Sequence, residues 1–198
     1  MQQFVKDVTA FLNKKCRAHA DEKTAEQFAA VLAGTAGGDG DTGIVVNERV
    51  GNVPIELAPP MHASMLKEIG WAVEDNEPYK FSHLVYLSKC FTLMDEDADE
   101  APSLKGSAGK KQKRPKQRAP KEQQYCNFED SLLEQAATLK FNYPIQLGGD
   151  GSLTERPTLE TGEKLLPYRT VMVIPMDRVA GVVAQMEQAF GVPSQPLA

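Results

Sequence analysis

The stretch 79–87 constrains this chain most. On an extended backbone, Tyr79, Phe81, His83, Val85 and Leu87 fall on one side, and Leu84 and Tyr86 on the other. A strand that is apolar on both sides has to be covered on both sides, because water-exposed apolar surface costs roughly 25 cal/mol per Å². Such a strand belongs inside a sheet with helices above and below it.

The rest of the chain supplies those layers. Phe4, Val5, Val8, Phe11, Leu12 and Cys16 recur at helical spacing, so the chain opens on an amphipathic helix. A second helix is expected to start at Thr24, which with Gln27 has the spacing of a capping box, and to bury Phe28, Val31 and Leu32. Glycines crowd 34–40 and stop it. Residues 43–47 and about 52–57 read as strands, with turn character at Val50-Gly51-Asn52. Pro60 suits the first turn of a third helix bearing Met61, Met65, Leu66, Ile69 and Trp71. A helix near 127–139, capped by Asn127 and packing Phe128, Leu132, Leu133 and Ala136, leads into a period-2 strand through Leu139, Phe141, Tyr143, Ile145 and Leu147. Residues 168–174 read as a buried strand. The last helix carries Met176, Val179, Val182, Val183, Met186 and Phe190 on one face. The expected fold is one α/β domain over 1–198, a mixed β-sheet flanked by helices.

Residues 95–122 stand outside this pattern. An acidic run (Asp95, Glu96, Asp97, Asp99, Glu100) precedes a basic one, and neither has a helical or strand period. Such composition buries too little apolar surface to offset its ordering entropy, which predicts a disordered charged insertion. Its charge also masks the rest of the molecule. The whole chain has 22 basic and 27 acidic residues, a net −5. Residues 105–121 hold eight basic residues and no acid; without them 14 basic residues face 27 acidic ones, a net −13. A body that acidic attracts cationic partners and repels nucleic acid.

No stretch approaches the ~20 apolar residues of a membrane span, and the N-terminus lacks the apolar core of a secretory signal. Three scattered cysteines, Cys16, Cys90 and Cys126, fit a reducing compartment, with the thiols acting as small buried hydrophobes.

Chemistry-bearing motifs are few. The glycine cluster at 34–40 follows a helix and precedes a strand, the reverse of a phosphate cradle, and has no Lys-Ser/Thr. The cluster at 148–151 follows a strand, but 152–157 is a poor helix start; both read as turns. His19, His62 and His83 form no H-x-x-x-H pair and the cysteines no C-x-x-C, so no metal site is expected. His83 reads as a core histidine, and no nucleophile elbow surrounds Cys90. No catalytic residue or cofactor is assigned. The polar knot Asn47-Glu48-Arg49, with Asn52, admits two roles: an ion pair with a left-handed turn, or a contact at the end of the sheet. The run Lys110, Lys111, Lys113, Arg114, Lys116 and Arg118 reads as a nuclear-import signal, with a patch for acidic surfaces or a solvated linker as alternatives. It contains no aromatic to stack bases, which argues against single-strand recognition, and no direct nucleic-acid partner is expected.

Several segments carry a resemblance. G-I-V-V-N-E-R-V-G-N-V-P at 43–54 and P-Y-K-F at 78–81, with S-K-C at 88–90, resemble the BCCIP/Bcp family. Weaker echoes are the unit from Asn127-Phe-Glu-Asp to Phe141-Asn-Tyr143, and V-M-V-I-P-M-D-R at 171–178. The resemblance implies an acetyltransferase-like (GNAT-type) sheet without that activity. The R/Q-x-x-G-x-G/A pyrophosphate loop of those enzymes is absent at the matching place in this sequence. It also implies a nuclear protein, shuttling to the cytoplasm, that escorts a basic ribosomal protein of the large subunit and serves nuclear export. Further partners would be nuclear transport factors and cell-cycle or DNA-repair proteins. Rival roles are an adaptor in those complexes and a divergent acyltransferase binding a CoA-like ligand. Family members begin with an acidic tail and a strand-rich segment, whereas this chain opens on its helix at Phe4, so either edge strands or an N-terminal stretch are expected to be missing. Candidate partner contacts are Asn47, Glu48, Arg49 and Asn52, then Glu74, Asp75 and Glu77, and the acidic run from Asp95, Glu96 and Asp97.

Overall fold

A computed structural model describes residues 2–36, 40–46, 53–93, 123–145 and 165–191. The elements run α1 (Gln2–His19), α2 (Glu22–Leu32), β1 (Asp41–Val46), a 3-10 turn (Ile55–Leu57) and α3 (Ala58–Glu74). They continue as β2 (Phe81–Leu93), β3 (Gln124–Tyr125), α4 (Asp130–Ala136), β4 (Leu139–Pro144), β5 (Leu165–Pro175) and α5 (Met176–Phe190). The main strands lie in the order β1-β2-β5-β4, and β3 pairs with β2. β1 runs parallel to β2; β5 is antiparallel to both β2 and β4. The sheet is mixed, with helices on both faces.

β2 is the spine, as its two-sided apolar sequence demands. Val85 and Leu87 enter one core cluster with Phe141, Val171 and Val173, and α1 and α2 close it through Leu12, Cys16 and Phe28. Leu84 and Tyr86 enter the opposite cluster with Met172 and Ile174, closed by Leu133 of α4 and by Val179, Val182 and Met186 of α5. The Phe28 and Phe141 rings meet edge to face at 5.1 Å and 72°, a geometry that adds about 0.5–1.5 kcal/mol to their burial. Gly43 packs closely under β2: a Cβ would stand 2.7 Å from Leu84 Cδ2, so the Leu84 side chain would have to shift to admit one.

Several expectations are corrected. The one-residue irregularity between Asp41 and Thr42 pairs them with Phe81 and His83, so Phe81 joins the Leu84 cluster rather than the Val85 face. Asp21, not Thr24, caps α2: its carboxylate accepts from the Thr24 amide at 2.9 Å and the Thr24 hydroxyl at 2.8 Å. Residues 53–57 form no strand; Pro54 precedes a 3-10 turn. α4 begins at Asp130 and lasts seven residues, and Phe128 is 73% exposed instead of packed. On α1, Phe4, Val5 and Phe11 are exposed, so the buried face starts near Val8 and Leu12. Of the three cysteines Cys126 is exposed. The insertion expected at 95–122 lies outside the described residues. The strands at 139–144 and 165–175 and the last helix form with the expected inward sides.

A candidate interaction surface on the third helix

Two clusters of polar or exposed groups invite a functional reading. The first is a row of polar side chains on the α4/α5 side of the sheet. Ser88 and Asn142 flank Thr170 across the strands. Asn142 Nδ2 donates to Gln123 Oε1 at 2.6 Å, Gln123 Nε2 donates to Thr170 Oγ1 at 2.8 Å, and that hydroxyl lies 3.1 Å from Cys90 Sγ. Its acid–base chemistry runs against catalysis. Burial pushes up the Cys90 thiol, the Tyr125 phenol and, deeper in the same face, the Tyr86 phenol. Reactive thiols need the opposite shift. Among the described residues no group of three metal-ligating side chains is close enough to hold an ion. The row ties β2, β3, β4 and β5 together through the Asn142–Gln123–Thr170 chain, while Ser88 Oγ and Asn142 Oδ1 are buried with no hydrogen-bond partner among the described residues.

The second cluster lies on α3, and local sequence builds it. Pro59 and Pro60 occupy the first turn, where a missing N–H costs nothing. The helix ends in a Schellman motif. Asp75 is the C-cap, Asn76 takes a left-handed φ of 59°, the Glu77 amide donates to Ala72 O at 2.8 Å and the Asn76 amide to Val73 O at 3.2 Å. Inward, Ala58, Pro59 and His62 are buried, His62 stands 5.9 Å from the Tyr86 ring, and Met65 and Leu66 pack on the Leu84 cluster.

The outward side carries large apolar residues: Met61 and Trp71, which the sequence places on this helix, are 51% and 60% exposed. They belong to a stripe that steps by four and three residues through Leu57, Met61, Ser64, Glu68, Trp71 and Asp75. Leu57, Pro60, Met61 and Met65 line a shallow open groove of about 440 Å³ at its start, with Glu68 at its far end. Beyond Trp71 the helix finishes in Glu74, Asp75 and Glu77, all exposed, with exposed Val73 and Tyr79 beside them. From 55 to 80 five acids (Glu56, Glu68, Glu74, Asp75, Glu77) face two lysines, Lys67 and Lys80. A helix apolar on both sides has a second contact to make, and exposed aromatics within an acidic rim match the anatomy of a protein interface. The hint in the sequence was that Trp71 falls roughly half a turn away from Ala58, His62 and Ile69.

The structure thus brings Glu74, Asp75 and Glu77 together on one surface with Trp71. Asn47, Glu48, Arg49, Asn52, Asp95, Glu96, Asp97 and the basic run from Lys110 to Arg118 lie outside the described residues. No helix among the described residues is long and apolar enough to cross a membrane.

The fold has a solved counterpart. It is similar to the crystal structure of BCP1 from Saccharomyces cerevisiae, with a TM-score of 0.51 at 12% identity, over 89% of this chain and 54% of that one. A family model described as BCCIP matches residues 1–133, and the chain belongs to the BCCIP family. The bcp1 protein of Schizosaccharomyces pombe is 35% identical over 112 residues, 54% of this chain and 38% of that protein. The BCCIP homolog of Xenopus tropicalis is 28% identical over 195 residues, 95% of this chain and 56% of that protein. The chain therefore spans about half the length, or less, of these relatives.

Proposed function

We propose that this chain is a non-enzymatic nuclear binding protein that escorts a basic ribosomal protein of the large subunit and so supports nuclear export and ribosome biogenesis. The observation that carries the proposal is the outer face of α3, where half-exposed Leu57, Met61 and Trp71 stand among Glu68, Glu74, Asp75 and Glu77. Charge steers a cationic partner to this face, and the desolvated apolar side chains set how long it stays. The net −13 outside 105–121 extends the same field over the molecule. In this account the sheet is an acetyltransferase-like scaffold kept without acyl-transfer chemistry, and the core and helices act as one domain. Lys110, Lys111, Lys113, Arg114, Lys116 and Arg118 serve as the nuclear-import signal, and 95–122 is a charged insertion. The raised thiol and phenols of the polar row support the non-enzymatic part.

Capture of total large-subunit ribosomal proteins on the purified chain, at low and at moderate salt, tests this. One dominant basic partner retained at moderate salt is the expected result. Many partners, all lost when salt is added, would reduce the surface to a nonspecific acidic one and overturn the escort role.

A further inference from the structure

Resting on that escort role, we propose that the partner's docking element is an amphipathic basic helix lying along the outward stripe of α3. Its apolar side chains sit over Leu57, Met61 and Met65, and its Lys/Arg-rich end sits over Glu74, Asp75 and Glu77. The stripe runs straight from Leu57 to Asp75, about 27 Å at roughly 1.5 Å per residue. Its four-and-three steps are those along which helices pack ridge into groove. The groove at its start is lined mainly by Leu57, Pro60, Met61 and Met65, so it suits Leu- or Met-sized side chains and offers little to a small polar ligand.

The chemistry is graded along the stripe, apolar first and acidic last, so the incoming helix must be graded too. The last turn of α3 contains no basic residue and ends on Glu74, followed by Asp75 and Glu77. Acids at a helix C-terminus oppose the helix dipole, typically by about 0.3–1 kcal/mol each, and a partner's cations remove that opposition. A second copy of this chain is a poor occupant. Parallel stripes would set acid on acid, and antiparallel stripes would set the acidic end of each on the apolar groove of the other.

Trp71 is the chain's single tryptophan, so its emission reports on the stripe directly. The probe is an 18-residue Leu/Lys peptide with leucines at helical spacing in one half and lysines on the same face in the other. The control is its scrambled isomer of equal composition. Titrated into the full chain, the ordered peptide is expected to shift Trp71 emission to the blue and saturate, with the isomer at least tenfold weaker. Met61→Glu and the double change Glu74→Lys, Asp75→Lys should each weaken binding tenfold or more, with unchanged circular dichroism and melting, since all three positions are exposed.

Equal binding of peptide and isomer, or of Met61→Glu and wild type, would overturn the proposal. So would a concentration-dependent dimer whose Trp71 emission reddens on dilution, which would make a second copy the occupant. The same Met61→Glu chain, carried through the ribosomal-protein capture, separates the two claims. A partner held equally by variant and wild type overturns the α3 placement and leaves the escort role. Peptide binding at the stripe with no ribosomal protein captured overturns the escort role instead.

Discussion

The Glu77 amide donates to the Ala72 carbonyl at 2.8 Å across Asn76, whose φ is 59°. This one bond ends α3, and it fixes Glu77 beside Asp75 on the surface that also presents Trp71. Asn76 is the described non-glycine residue with positive φ, a conformation that costs most L-residues roughly 1–2 kcal/mol. Asn76→Ala should therefore lower stability by about 1 kcal/mol in urea unfolding, while Asn76→Gly should match or exceed the wild type.

The N-terminus of α2 should respond to pH. The Thr24 amide, then the Thr24 hydroxyl, hold the Asp21 carboxyl below the usual aspartate range. A depressed pKa gives stability that is present above the unfolded-state value and lost as pH falls through the folded one. Urea midpoints should accordingly fall as pH drops through and below the ordinary aspartate range. Asp21→Asn, which keeps an acceptor at the cap, should flatten part of that fall; an unchanged acid limb in the variant would contradict the assignment.

The helix layer over β4 rests on Phe28, which is fully buried against Phe141. Phe28→Ala should cost about 3–5 kcal/mol, with a smaller loss for Phe28→Leu. Differential scanning calorimetry or urea unfolding gives the number. A loss below 1 kcal/mol would mean that α2 does not close this core.

How much of this was legible in the sequence follows from the kind of signal each element carries. β2, β4, β5 and α5 were readable because their periodicity coincides with burial: Leu84 to Leu87 alternate between the two cores, while Phe141 with Tyr143, and Val179 with Val182, each answer to one. The Asp41/Thr42 irregularity was not readable, since a bulge is a property of the pair and not of either strand. Phe128 was misplaced, and Met61 and Trp71 were given no face, for one reason. Apolar character marks a residue for burial without saying whether its own chain or a partner provides it. The acids Glu74, Asp75 and Glu77 were visible as charge, but only the Schellman end of α3 sets them beside Trp71.

The thiols divide by burial. Cys16 is fully buried, and burial first, then the nearby Asp21 charge, push its pKa to about 11. Cys90 is raised in the same direction and Cys126 is exposed. At pH 8 a disulfide reagent such as DTNB should titrate one thiol quickly and the other two only on unfolding. A raised thiol pKa gives stability that is complete below the unfolded value near 9 and lost as pH rises toward about 11. Cys16→Ala should flatten that alkaline loss.

The claim that α3 is the partner surface is tested most directly by amide hydrogen exchange, measured on the chain alone and in complex with the basic protein it captures at moderate salt. The expected result is added protection across 57–77, through the last turn and the Glu77 amide, with β4 and the α1 surface unchanged. Protection confined to α1, or to the edge of β4 that no described strand pairs with, with 57–77 exchanging as in the unbound chain, would contradict it.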